Sequence, residues 1–164
     1  MKFKIGQLVE LYQTVDIDTF CVGRIKYFDN DILVLECFNS CGGYDGYFVT
    51  KISKIAKVSF NTKYLHKMSL LIENGKDINI KSIEDVINLA FNNNRVVAGL
   101  IKRHHYMYNF RFSDINDDLL TIEYIDNYGE LYKKETINRN DIYNIEIDDR
   151  YLCSLEKLLS LKNK

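Results

Sequence analysis

The sequence has no tryptophan, no proline and only three histidines. Without proline, the turns must be marked by glycine, asparagine and aspartate. No apolar run approaches the roughly 20 residues that a transmembrane helix needs, and the first six residues contain no signal-peptide core. We therefore expect a cytoplasmic protein, of bacterial type, that does not enter a membrane.

Neither sign of charge dominates, because 22 basic residues face 23 acidic ones and the net charge is −1. A protein that neutralises many phosphates through its overall charge would be more basic. Binding to nucleic acid would therefore need a local basic patch. The sequence is instead rich in aromatics, with 12 tyrosines and 9 phenylalanines, which favour β-strands.

An internal repeat relates the two halves of the sequence at an offset of 87 residues. Glu36 then falls on Glu123 and Tyr64 on Tyr151, and no gap is needed from 24/111 to 71/158. The run Ile55, Val58, Phe60, Tyr64 and Leu65 recurs as Ile142, Ile145, Ile147, Tyr151 and Leu152. Such self-similarity predicts a duplicated structural unit.

Each copy has the pattern of five short strands followed by a helix. In the second copy Tyr108, Phe110 and Phe112 alternate with polar residues, as a strand with one buried face requires. The strands predicted in the first copy are 8–12, 20–28, 32–38, 47–51 and 55–60. Such short strands favour an antiparallel meander that closes on itself and leaves no exposed edge.

Helices are predicted after the last strand of each copy and between the copies. Leu65, Met68 and Leu71 recur at helical spacing in the first copy, and Leu152, Leu155 and Leu158 do so in the second. A third helix over Ile83–Phe91 has an apolar face of Ile83, Val86, Ile87 and Ala90. We predict a first barrel plus helix over 1–75, a linker helix over 76–93, and a second barrel plus helix over 94–164.

The stretch Gly23-x-Ile25-x-x-Phe28-Asp29-x-x-Ile32 resembles the first motif of Sm-like proteins. The resemblance implies a mainly β fold with α: two tandem SH3-like/Sm-like five-stranded antiparallel barrels, each with a C-terminal helix, plus the linker helix. It does not extend to the RNA-base pocket of that family. Leu33 and Leu120 stand where the pocket asparagine would be, and Thr50-Lys51 and Thr136-Ile137 replace its Arg-Gly pair.

Cys37 and Cys41 have the spacing of two thiolate ligands, and His66 or Cys153 could complete a zinc site with them. The second copy, however, has Tyr124 and Tyr128 at the positions of the two cysteines. Such positions behave as packing or surface sites. We expect reduced thiols, no metal and no cofactor.

The basic segment 102–108 is the candidate for nucleic-acid contact. Its histidine pair and arginine are flanked by tyrosines, so a hairpin tip of this kind could follow a phosphate backbone and stack bases. An ordinary solvated turn before a barrel strand has the same pattern. The candidate contacts are Arg103, His104, His105 and Arg111.

The glycine-rich segment 41–47 is the candidate for contact with a protein partner, through Tyr44 and Tyr47. Three glycines in five positions permit a tight hairpin, but no lysine and helix follow as in a phosphate-binding loop. Catalytic motifs are not present. We therefore expect a non-enzymatic interaction module for a protein partner, with oligomerisation open. Alternatives are a protein that binds RNA or DNA, and an enzyme with a cryptic site between the barrels.

Overall fold

A computed structural model describes residues 3–73 and 75–162 of the chain. The described part contains ten strands, three α-helices and two short 3-10 helices. The expectation of a mainly β fold with α-helices is therefore confirmed. The chain divides into two compact units, Met1–Ser82 and Ile83–Lys164.

The first unit contains five antiparallel strands and one helix. The strands are β1 (Leu8–Gln13), β2 (Asp16–Phe28), β3 (Ile32–Phe38), β4 (Tyr44–Lys51) and β5 (Ile55–Ser59), and the helix is α1 (Lys63–Leu71). A 3-10 turn, Ile52–Lys54, joins β4 to β5. The core is formed by apolar side chains of β1 to β4, among them Leu11, Ile25, Leu35 and Phe48, and in β3 and β4 consecutive residues are buried.

The second unit begins and ends with a helix. Its elements are α2 (Ile83–Asn92), β6 (Val97–Ile101), β7 (Tyr108–Ile115), β8 (Leu119–Ile125), β9 (Leu131–Asn138), β10 (Ile142–Ile147) and α3 (Arg150–Lys162). The apolar face predicted for α2 is confirmed, because Ile83, Val86, Ile87 and Ala90 are buried. Helix α2 packs against β7 and β10, so it belongs to the second unit rather than standing apart from both units.

The predicted tandem SH3-like/Sm-like barrels are wrong, because the strands form open antiparallel sheet. Within the first unit the order is β5-β1-β2-β3-β4, and within the second it is β10-β6-β7-β8-β9. The first and last strands of each order are not paired with each other, so neither set of five closes. Alternating apolar residues specify a buried face, and an open sheet needs that face as much as a closed barrel does. The sequence pattern therefore could not distinguish the two arrangements.

The predicted repeat is visible in the strand register of the two units. Arg24 pairs with Glu36 across β2 and β3, and Arg111 pairs with Glu123 across β7 and β8, both at the offset of 87. The register shift just beyond these pairs also occurs at matching positions, 25/27 and 112/114. The two copies therefore share backbone detail as well as element order.

The last helix of each unit starts with the same hydrogen bond. The Thr62 hydroxyl accepts from Leu65 N at 3.1 Å, and the Asp149 carboxylate accepts from Leu152 N at 2.7 Å. Both leucines are buried, at 4% and 0% exposure. Tyr151, in contrast, is exposed. The leucine therefore attaches the helix to the sheet in both units, and in the first unit the partly buried Tyr64 packs against the same core cluster.

Glycine is required at one loop position in each unit. Gly42 and Gly129 have φ values of +86° and +73°, and a side chain on either would collide with the last helix of its unit, at Leu71 or Leu158. Only glycine combines this conformation with so close an approach at little cost. Helix α1 ends at Leu71, and Gly75, beyond its end, lies against Glu36 and Tyr44.

Within residues 3–73 and 75–162, no helix is both long and apolar enough to cross a membrane.

Candidate functional site

The predicted basic segment connects β6 to β7 in the second unit. Lys102, Arg103 and His105 are exposed, and Tyr106 has 74% of its surface exposed. His104 is half-buried, because its ring turns towards the sheet. The segment therefore combines solvent-exposed cations with one histidine that packs against the strands.

A group of aromatic rings surrounds His104, and we call His104, Tyr108, Tyr124 and Tyr132 the tyrosine face. The His104 ring centroid is 4.7 Å from that of Tyr108 and 6.1 Å from that of Tyr124. Tyr124 is 5.6 Å from Tyr108 and 5.9 Å from Tyr132. These separations are typical of edge-to-face and tilted aromatic contacts. The face thus connects the loop before β7 with β8 and β9.

Strand geometry explains why these rings meet. Tyr124 lies opposite Lys133 in the β8–β9 pairing, and the next strand residue along, Tyr132, approaches it where the register shifts. Tyr108, two residues before the buried Phe110, lies on the same side of β7 as that core residue. The tyrosine face therefore lies at the edge of the core of the second unit, where Tyr124 is buried and Tyr132 is exposed.

Hydrogen bonds fix the orientation of Tyr124 at the centre of the face. Its hydroxyl donates to Glu135 Oε2 at 2.9 Å, and Lys133 Nζ donates to the same oxygen at 2.8 Å. His104 Nε2 is 3.1 Å from the Tyr124 oxygen. A phenol has one hydrogen, which Glu135 accepts, so His104 Nε2 must donate the other bond. The proton of His104 is thereby assigned to Nε2, and Nδ1 is left to accept in the neutral ring.

The protonation states follow from the surroundings. Burial raises the pKa of Tyr124 far above its usual value of 10.0, and the hydrogen bond to Glu135 adds to the rise. The pKa of Glu135 is lowered, first by the hydrogen bond from Lys133 and then by that from Tyr124. Near neutral pH the site therefore holds a neutral phenol beside a carboxylate whose charge is balanced by an ammonium group.

The exposed rim of the face offers planar rings and cations together. Tyr132 is 55% exposed, and Lys133 Nζ lies 5.0 Å from the Tyr124 ring centroid. Arg103 and His104 line a small cavity with Glu135, Asn138 and Asp141. This arrangement can stack a flat group on a ring and attract an anion to a neighbouring cation.

Arg111 and Glu123, unlike His104, lie away from this face. Arg111 follows Phe110 in β7, so its side chain points to the opposite side of the strand. Its Nε donates to Glu123 Oε2 at 2.8 Å. Arg24 and Glu36 form the matching ion pair in the first unit at 3.2 Å. Of the four residues predicted to contact nucleic acid, Arg103, His104 and His105 are thus together and Arg111 is apart.

The predicted partner contacts, Tyr44 and Tyr47, lie in β4 with ring centroids 6.2 Å apart. Tyr47 is buried, with its hydroxyl donating to Lys76 O at 2.7 Å and accepting from Ile78 N at 3.3 Å. Tyr44 is half-buried, and Lys76 Nζ lies 5.3 Å from its ring centroid. Both tyrosines therefore help to hold the segment after α1 against β4.

The four cysteines all lie in the described part of the chain, and none forms a disulfide. Among residues 3–73 and 75–162, no group of three or more histidine, cysteine, aspartate or glutamate side chains is arranged to hold a metal ion.

Tyr124, Tyr132, Lys133 and Glu135 are not among the residues predicted from the sequence. The feature that could have identified them is the β8–β9 register, in which Tyr124 and Lys133 are direct neighbours. That register depends on where the hairpin turns, and a glycine-containing turn at 127–129 leaves several registers open. Comparison of every possible β8–β9 register would have included the one in which these residues are neighbours. The sequence pattern alone does not select that register.

Compared with protein-family models, with curated proteins and with solved structures, the chain has no match.

Proposed function

We propose that this protein is a non-enzymatic binding protein and that the tyrosine face binds single-stranded nucleic acid. The observation that carries the proposal is the exposed Tyr132 ring beside Lys133, at the rim of a group of fixed aromatic rings. Non-specific single-strand binding combines such rings, on which bases stack, with cations that follow the backbone.

The fixed orientation of Tyr124 supports this function. Its hydroxyl is committed to Glu135 and its ring lies among three other rings of the face. Tyr124 is only 1% exposed, so it offers no surface to a ligand and instead packs against the exposed Tyr132 ring. A ring that is held in place loses little conformational entropy when a base stacks on it, so Tyr132 is suited to binding flat groups.

The local charge supports an anionic ligand although the whole chain is nearly neutral. Lys102, Arg103 and His105 precede β7 on exposed positions, and Lys133 adds an ammonium group. The carboxylate of Glu135 is offset by Lys133 at 2.8 Å. Asp141 lines the same cavity as Arg103 and Glu135. The attraction for an anion therefore rests on the exposed cations Lys102 and Arg103 of the loop before β7.

A single strand fits better than a duplex, because stacking on Tyr106 or Tyr132 requires an exposed base face. The bases of a duplex are already stacked on each other, and an RNA helix hides its base edges in a deep groove. We further propose that the protein works in the cytoplasm, where thiols such as its four cysteines stay reduced.

The test is a fluorescence anisotropy titration with labelled single strands of about 15 nucleotides, dT and rU, at low salt. We expect Tyr132→Ala to weaken binding about 5- to 150-fold, because removal of one stacking ring typically costs 1–3 kcal/mol. Lys133→Gln should also make the affinity less sensitive to salt, since one phosphate contact fewer releases fewer counterions.

Tyr128→Ala is the matched control, because Tyr128 lies in the β8–β9 turn and is 75% exposed but is not part of the tyrosine face. It should bind like the unchanged protein. Equal losses in Tyr132→Ala and Tyr128→Ala, equal affinity for a duplex, or no binding at low ionic strength would each overturn the proposal.

A further inference from the structure

A second group of rings and cations lies in the first unit, on β1, β2, β5 and α1. The ring centroids of Tyr12 and Phe20 are 5.3 Å apart, and those of Phe20 and Tyr64 are 5.5 Å apart. Lys57 Nζ lies 5.0 Å from the Tyr12 ring centroid, and Lys67 Nζ lies 5.5 Å from that of Tyr64. We call these five residues the hairpin face.

The centre of the hairpin face is accessible to solvent. Phe20 is 40% exposed, and both lysines are exposed. The two tyrosines are half-buried, and each contacts the Phe20 ring. A flat ligand can therefore reach the Phe20 ring, and each of the two tyrosines in contact with that ring has an ammonium group over it.

Tyr12 repeats the arrangement that surrounds Tyr124. Its hydroxyl donates to Glu10 Oε2 at 3.2 Å, as that of Tyr124 donates to Glu135. Lys57 lies directly opposite Tyr12 in the β1–β5 pairing, as Lys133 lies opposite Tyr124. The ammonium-to-ring distance is 5.0 Å in both places.

Phe20 takes the part that Tyr132 has in the second unit. Its ring is tilted by 44° to Tyr12, and the ring of Tyr132 is tilted by 39° to Tyr124. Both are more exposed than the tyrosine they touch. Each face thus consists of a fixed tyrosine, a lysine opposite it and an exposed ring beside it.

The duplication does not account for this likeness. At the offset of 87, Tyr12 corresponds to Gly99, and Tyr124 corresponds to Cys37. The two faces therefore lie on different strands of the repeated unit. The shared arrangement is an observation independent of the repeat.

We propose that the hairpin face is a second binding site for single-stranded nucleic acid, in addition to the tyrosine face. A base stacks on Phe20, and the flanking phosphates approach Lys57 and Lys67. The lysines over the two tyrosine rings exclude a cationic ligand from those rings and favour an anionic one. This proposal shares its ligand class with the function proposed above but depends on different residues.

The acidic residues nearest to Phe20 in sequence lie at the tip of the β1–β2 hairpin. One Asp16 carboxylate oxygen accepts from the Thr19 hydroxyl at 2.6 Å, and the other accepts from the backbone N–H groups of Asp18 and Thr19. The carboxylate of Asp16 is thus held within the tip. Glu10 is buried and bonded to Tyr12 and Thr62.

The test is the stoichiometry of binding of a hexanucleotide, short enough for one site of about 4–16 nucleotides. Isothermal titration of the full chain with dT and rU hexamers should give two sites per chain. Phe20→Ala and Tyr132→Ala should each leave one site, with the lost site weakened about 5- to 150-fold. The double variant should bind neither hexamer.

Leu70→Ala is the control, since Leu70 lies on α1, is 76% exposed and has no part in the hairpin face. Lys57→Gln and Lys67→Gln, each made in the Tyr132→Ala protein, provide a second measurement. In that protein only the hairpin face should bind, and each lysine change should reduce the salt dependence of its affinity. Neither lysine change removes a buried apolar group. The hairpin site can therefore still be tested with the lysine variants if Phe20→Ala does not fold.

The outcomes separate the two proposals. One site in the unchanged protein that Tyr132→Ala abolishes and Phe20→Ala spares overturns the hairpin site and leaves the tyrosine face standing. One site with the reverse response overturns the tyrosine face alone. Two sites that also respond to Leu70→Ala, or no binding, would contradict the hairpin proposal.

Discussion

The phenol of Tyr124 donates its hydrogen bond to a carboxylate, Glu135, which an ammonium group holds in the ionised state. The bond is 2.9 Å long, and Lys133 donates to the same oxygen at 2.8 Å. Because both donors share Glu135 Oε2, the orientation of the Tyr124 ring depends on the charges of Glu135 and Lys133. Changes that protonate or remove Glu135 should therefore affect the stability of the second unit.

The pKa of Glu135 in the folded protein lies below its usual value of 4.5, first because Lys133 bonds to it. A group with a lowered pKa stabilises the fold above its unfolded pKa, and that contribution is lost as the pH falls through the folded pKa. We expect Glu135→Gln to be less stable than the unchanged protein at pH 7. The difference should shrink as the pH falls below about 4.5.

Urea unfolding of both proteins between neutral and acidic pH measures this difference. Glu130→Gln is a suitable control, since Glu130 is an exposed residue whose carboxylate pairs only with the exposed Lys162 in the contacts described. A difference for Glu135→Gln that stays constant over the whole pH range would contradict the expected linkage.

Arg111 should matter for stability and not for nucleic-acid binding. Its side chain lies on the opposite side of β7 from Tyr108 and pairs with Glu123 at 2.8 Å. We expect Arg111→Ala to lower the free energy of unfolding by on the order of 1 kcal/mol, as for a favourable pair that is partly exposed. Its affinity for single strands should stay within about twofold, because less than 0.5 kcal/mol is at stake far from the ligand.

Arg103→Ala is the comparison, because Arg103 is exposed in the loop that approaches the tyrosine face. It should weaken binding and flatten the salt dependence without a loss of stability. If Arg111→Ala weakened binding as much as Arg103→Ala, the assignment of the ligand to one side of β7 would have to be abandoned.

Removal of the two helix caps should lower the free energy of unfolding by different amounts, although the caps occupy matching positions in the two units. Thr62 caps α1 and also donates to the buried Glu10, whereas Asp149 caps α3 through Leu152 N. Loss of a cap costs about 0.5–2 kcal/mol, and a buried acceptor that loses its donor adds about 1–3 kcal/mol. Thr62→Ala should therefore destabilise the protein more than Asp149→Ala.

Chemical denaturation of the two variants, with circular dichroism at 222 nm as the signal, compares the costs. Thr62→Ser retains a hydroxyl for both bonds and should recover most of the loss. The reverse order of stability would show that Glu10 does not depend on Thr62.

The local sequence pattern predicted many of the helices and strands, because the formation of these elements depends mainly on residues that are close in sequence. Strand β3 has the predicted bounds, 32–38, and the buried residues of α2 are the four predicted ones. Closure of the strands was predicted wrongly, because the apolar residues of β1 to β5 are compatible with both an open and a closed sheet. Contacts between distant strands decide that question, and they leave little trace in local periodicity.

The candidate site shows the same limit. The sequence predicts His104 through its basic neighbours, but the ring that fixes it belongs to Tyr124, twenty residues further along the chain. Tyr12 and Lys57 are 45 residues apart and meet only in the β1–β5 register. Pairings across the sheet, rather than unusual residues, create both faces.

The constant offset of 87 has a practical consequence for engineering. From 24/111 to 71/158 neither copy has an insertion or a deletion relative to the other. Any stretch in this range can therefore be exchanged for its counterpart without a change in the length of a single loop. The chain therefore contains a size-matched replacement for each of these segments, and Gly46, whose φ of +84° is not shared by its counterpart Lys133, is a position that an exchange should leave unchanged.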